Sequence, residues 1–154
     1  LTIYLVALGI CVIAAGVESL CAGRDPLAKL KATKQPSWSL PAAVWVLIGI
    51  AWYGICFVGL VQLLPFWPVA KLPVALLVAL MLANAAANIF QFRMQRLDLA
   101  FFYLFPYWIL LASFLWAACA LDRLTCALFA IYAAYQIYAA FWSYALWRMN
   151  PPAR

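Results

Sequence analysis

The sequence predicts an all-α membrane protein, a single domain over 1–154 built as a bundle of five spanning helices. Three observations carry this reading. Hydrophobic residues make up 71% of the 154 and charged residues 9%, with a mean hydropathy of +1.03; a soluble domain is about half apolar and about a quarter charged. The charges are clustered, leaving residues 1–17, 35–70, 72–92, 99–121 and 124–147 without one. A helix crossing the hydrocarbon needs about 20 apolar residues, so these gaps house helices at about 1–21, 41–63, 72–92, 99–121 and 124–147. Finally, a spanning backbone must satisfy its own hydrogen bonds, which leaves helices or a closed barrel, and the alternating strands of a barrel are absent.

The first span lacks a basic start and its apolar run is too long for a signal peptide, so it reads as a retained helix. Glu18 lies about one turn inside its end. A carboxylate within a span is a functional hypothesis by default, but at this shallow depth an ion pair with a loop Lys or Arg is expected. The loop that follows, about 22–40, carries Arg24, Asp25, Lys29, Lys31 and Lys34. It is long enough to fold over one end of the bundle as a lid.

Pro36 and Pro41 hold the approach to the second span extended, and Pro65, Pro68 and Pro73 end it. Trp38, Trp45 and Trp52 recur along this stretch, and Tyr53 follows directly. The run suits a membrane anchor, a packing seam or the wall of a ligand site. In the third span, Ala75, Ala79, Ala83 and Ala87 recur every fourth residue, a strip that lets helices approach closely in lipid. It fits packing within the chain and a homodimer seam equally. Asn84 and Asn88 share this helix, and buried amides must find partners, either on a neighbouring helix or at a polar spot in a cavity.

Pro106 falls mid-span in the fourth helix and should kink it or leave a carbonyl free. In the fifth, Tyr135, Tyr138 and Trp142 fall on one face. Ala134 and Ala139 leave space beside them, and Gln136 and Ser143 add polar groups. Tyr144 and Trp147, near the basic end, suit an interfacial belt. Tyr135 and Tyr138 lie deeper, so their hydroxyls need internal partners. Cys11, Cys21, Cys56, Cys119 and Cys126 are odd in number and lack CxxC spacing. They read as small apolar packing residues, not as a disulfide framework or metal ligands.

Five spans place the first loop, the third loop and the C-terminus on one side. That side holds Arg24, Lys29, Lys31, Lys34, Arg93, Arg96, Arg148 and Arg154; the other holds only Lys71 and Arg123. The positive-inside rule then puts the N-terminus outside and the C-terminus in the cytoplasm. The net charge of +6 is thus topology, and no nucleic-acid-binding pattern accompanies it. Histidine is absent, which removes the usual general base and haem ligand. No nucleophile–base arrangement can be assembled, so no catalytic or metal-binding residue is assigned. The bare helices point to a bacterial inner membrane.

The order of "KQPSWSLP", "WY", the spaced Asn84 and Asn88, "LD" and the closing "RMN" resembles the TspO/MBR family, the tryptophan-rich sensory proteins and translocator proteins. The likeness runs over nearly the whole chain. Pro36, Trp38 and Pro41 match the family's Pro-x-Trp-x-x-Pro element; Tyr53, Asn84 and Asn150 match its helix-2 Tyr, helix-3 Asn and closing Asn. The resemblance implies a pocket opening toward the cytoplasm under the first loop, a usual homodimer, and a receptor, sensor or carrier of porphyrins and other flat hydrophobic molecules. No cofactor is required; porphyrin or haem is the implied ligand. Trp38, Pro41, Trp45, Tyr53, Asn84, Asn88, Tyr135, Tyr138 and Trp142 are the expected ligand-binding residues, with Lys29, Lys31 and Lys34 near the propionates. The chain departs from the family at Gly49, Ala87, Tyr135 and Ser143, three of which replace tryptophans implicated in light-driven porphyrin degradation. The short sterol motif also fails, since neither Leu nor Val stands in the five residues before Tyr144. The alternatives are a small proton-coupled transporter using Glu18 and a porphyrin-degrading enzyme.

Overall fold

In a computed structural model, residues 1–151 are described; Arg154, counted above with the C-terminal charges, lies outside them. The chain is all-helical over these residues: α1 (Thr2–Ala22), α2 (Pro26–Ala32), α3 (Ala42–Leu63), α4 (Lys71–Asn88), α5 (Leu97–Phe102), α6 (Leu104–Cys119) and α7 (Arg123–Met149). A 3-10 turn, Leu64–Phe66, extends α3, and a π-helical turn, Ile89–Arg93, extends α4. Five stretches are long and apolar enough to cross a membrane: Thr2–Ala22, Ala42–Phe66, Lys71–Arg93, Leu97–Cys119 and Arg123–Met149. They form a closed ring in which α1 packs on α3 and α4, α4 on α6, α6 on α7, and α7 back on α3. Ile13, Ile109, Trp116 and Ile131 are exposed on the outside, the surface that lipid would cover.

Local chemistry sets the boundaries. Gly23 ends α1 at φ 73°, in the left-handed region, and its N–H caps the Ser19 carbonyl. Pro26 opens α2 at a position where its missing N–H costs nothing. This short helix within the first loop has no counterpart among the helices expected from sequence. The fourth span is interrupted at Tyr103, between α5 and α6; Pro106 offers no N–H to the carbonyl of Phe102, so the helical ladder breaks there. Asp122 caps α7, its Oδ2 accepting from the Thr125 N–H at 2.6 Å.

The bundle has a solid end and a hollow end. Toward the Asp122 turn, Cys56, Leu60, Leu63, Leu77, Leu80, Phe114 and Phe129 are fully buried. Gly59 makes the close approach there: a Cβ would meet Phe129 at 3.2 Å and Leu77 at 3.3 Å. Along the alanine strip, Ala83 packs on the core and Ala87 lines a cavity, Ala79 is half-buried and Ala75 is exposed.

The structure overturns one expectation at this end. Cys119 and Cys126 are joined by a disulfide, with Cα atoms 4.7 Å apart. Their spacing is not a CxxC motif, but they flank the tight turn between α6 and α7, which folds back and brings them together. Cys11 and Cys56 are buried thiols and Cys21 is half-buried.

Candidate functional site

The hollow end is the basic one, bearing the first loop, the π turn and the end of α7. Between the second half of α1, the first half of α3 and the last halves of α4 and α7 lies a chamber of about 450 Å³, roofed by Pro26, Leu27 and Leu30 of α2. Binding sites for small molecules usually fall between about 300 and 1,000 Å³. A side chamber of about 160 Å³ continues from it toward Tyr103 and Tyr107 and shares Glu18, Trp45, Asn84 and Asn88 with it. Exposed Ser19, Leu27, Val46 and Gly49 form part of the rim, so the chamber opens between α1 and α3.

Aromatic rings make the walls. Trp45 lies 4.4 Å from Trp142 between ring centroids, and Trp52 stacks on Tyr132 at the same separation. From Tyr132 the rings step along α7 to Tyr135 at 6.0 Å and on to Tyr138 at 6.3 Å. The indole N–H groups of Trp45 and Trp52 are buried without a partner among the described residues. A buried polar thread crosses the same region: Gln136 donates to the Tyr132 hydroxyl, which pairs with the Tyr107 hydroxyl at 2.7 Å.

Glu18 belongs to this site and not to the loop. The expected ion pair with a loop Lys or Arg does not form; among the described residues the salt bridge found is Arg96–Asp98. The Tyr53 hydroxyl donates to Glu18 Oε2 at 2.5 Å, Asn84 Nδ2 to the same oxygen at 3.1 Å, and Asn88 Nδ2 to Oε1 at 3.1 Å. The helix periods explain this. Asn84 and Asn88 are one turn apart on the α4 face that meets α1, so both reach a carboxylate displaced inward along α1. Of the loop lysines, Lys29 is engaged elsewhere: its Nζ donates to the Phe92 carbonyl at 2.9 Å, tying α2 to the π turn.

Of the residues expected to bind, Trp45, Asn84, Asn88, Tyr135 and Trp142 line the chamber. Tyr53 is held by Glu18 and does not form wall. Trp38 and Tyr138 pair edge to face at 5.7 Å beside the chamber, Trp38 half-exposed. Pro41 is exposed and starts α3. The first loop is fastened to α7: Trp142 Nε1 donates to Ser39 Oγ at 2.9 Å, and the Asn150 amide bonds Lys34. Sequence reasoning missed Trp52, Tyr132, Gln91 and Phe92 as wall residues.

Fold and site together define a five-helix apolar bundle with an aromatic chamber and a carboxylate in its wall. No protein-family model matches the chain, and no curated protein matches it. Among the described residues no group of three His, Cys, Asp or Glu is placed to hold a metal ion.

Proposed function

We propose that this protein is an integral membrane receptor or carrier for flat hydrophobic molecules, tetrapyrroles among them. The observation that carries the reading is the chamber of about 450 Å³ walled by Trp45, Trp52, Tyr135 and Trp142. Flat ring systems stack on such faces, each aromatic pair adding about 0.5–1.5 kcal/mol beyond the area it buries. The likeness to the TspO/MBR proteins supports the same reading, since Asn84 borders the chamber and Asn150 fastens the loop over it.

The proposed orientation has the N-terminus outside and the C-terminus in the cytoplasm of a bacterial inner membrane. Two independent features support it: the excess of Lys and Arg at the hollow end, and the Cys119–Cys126 disulfide at the opposite end, since disulfides persist on the oxidising side of a membrane. The chamber then opens near the cytoplasmic leaflet.

Titration of the purified protein with protoporphyrin tests the proposal. Tryptophan fluorescence should be quenched saturably, and Trp142→Ala should weaken binding by about tenfold. Linear quenching, equal in the two proteins, would refute it. A second reading, proton-coupled transport through Glu18, draws support from that carboxylate's position in the chamber wall; loss of proton-driven uptake in Glu18→Gln proteoliposomes would favour it.

A further inference from the structure

The chamber has one formal charge in its wall, and it is negative. Neither chamber has a Lys or Arg among its lining residues, whereas Glu18 borders both. All three polar contacts to Glu18 come from neutral side chains, those of Tyr53, Asn84 and Asn88, and none comes from a Lys or Arg.

The contacts are also uneven. Oε2 receives two bonds and Oε1 one. A carboxylate has about four acceptor sites, which leaves room at Oε1 for one further donor. Trp45, Tyr135 and Trp142 line both chambers together with Glu18, and the π clouds of such rings attract cations, most strongly where water is excluded. A charge-bearing donor gains from the carboxylate and from the rings together; an anion in the same place is repelled by both.

We propose that the preferred ligand is a lipophilic organic cation: a flat aromatic ring system bearing a protonated nitrogen, which donates to Glu18 Oε1 while the rings lie against Trp45 and Trp142. This inference rests on the chamber being the binding site and narrows its ligand from flat and hydrophobic to flat, hydrophobic and positively charged. Acidic tetrapyrroles would enter with their carboxylates turned away from Glu18, toward the exposed Lys31 and Lys34.

Two probes of the same shape separate the narrower claim from the broader one. The full-length protein, in nanodiscs of zwitterionic phosphatidylcholine, is titrated with 9-aminoacridine, a cation at neutral pH, and with 9-methylanthracene, its uncharged counterpart. Tryptophan quenching is read against empty nanodiscs. The expected result is saturable binding of both, with the cation at least tenfold tighter, and a fall in the ratio of the two affinities in Glu18→Gln. Equal affinities in the wild-type protein overturn the charge preference and leave the binding site standing. A preference that survives unchanged in Glu18→Gln also overturns it. Saturable binding of neither probe overturns both readings. If Glu18→Gln fails to fold, the variant Glu18→Asp decides: it keeps the carboxyl group but shortens its reach by one methylene, and must reduce the cation's advantage over the neutral probe.

Discussion

Asn150 clamps the backbone of Lys34 from two directions. Its Oδ1 accepts from the Lys34 N–H at 3.0 Å and its Nδ2 donates to the Lys34 carbonyl at 2.9 Å. The same Nδ2 caps the end of α7 through the Leu146 carbonyl at 2.8 Å. A single amide thus fixes the far end of the first loop to the last turn of the final helix.

Removing that amide should loosen the loop around Lys34, which Trp142–Ser39 and Lys29–Phe92 still hold on either side, without unfolding the bundle. Each bond is partly solvated and contributes about 0.5–1.5 kcal/mol. Asn150→Ala is expected to raise trypsin cleavage at Lys29, Lys31 and Lys34 several-fold and to speed dissociation of a bound flat ligand. Thermal unfolding should shift little. An unchanged cleavage pattern would show that the loop is held by other contacts.

The donors around Glu18 should behave as a unit. Bonds to a charged acceptor contribute about 1.5–3 kcal/mol each, and groups sharing one partner are coupled. Tyr53→Phe and Asn84→Ala should each destabilise the protein by about that amount, and the double variant should differ from the sum of the two. Thermal unfolding followed by tryptophan fluorescence reads the effect; strict additivity would mean that the two donors act independently.

Gly49 offers a way to close the chamber. A Cβ built there meets nothing within 4 Å, and Gly49 lies in the wall at the exposed rim. Gly49→Trp should therefore cut affinity for flat ligands at least tenfold while leaving the melting temperature unchanged or slightly higher. Retained affinity would place the ligand elsewhere.

The Cys119–Cys126 bond should report orientation. After reduction, a membrane-impermeant maleimide should label these cysteines only from the outer face. The pair Cys119→Ser and Cys126→Ser should lose about 2 kcal/mol, the scale for a short closed loop. Labelling from the cytoplasmic face alone would invert the proposed topology.

The five spans were legible because charge is nearly excluded from hydrocarbon, so the gaps between charged residues mark helices directly. The break near Tyr103 was legible through Pro106, a local effect on the backbone. What escaped was convergence between distant segments. Counting turns from the end of α1 gave the depth of Glu18, but nothing in that count shows that Tyr53, Asn84 and Asn88 arrive at the same point. On α3, Tyr53 and Trp52 are neighbours about 100° apart on the helix; which of them faces the chamber depends on how α3 is rotated in the bundle. The cysteine pair escaped because motif spacing was the criterion, when a two-helix turn had already brought the residues together.

Trp142 belongs at once to the chamber wall and, through its hydrogen bond to Ser39, to the fastening of the first loop. Seat and loop therefore share one ring, with Asn150 and Lys29 as the loop's other fastenings. A guest that displaced the indole would draw on the Ser39 bond, and exposure of the first loop would then follow occupancy.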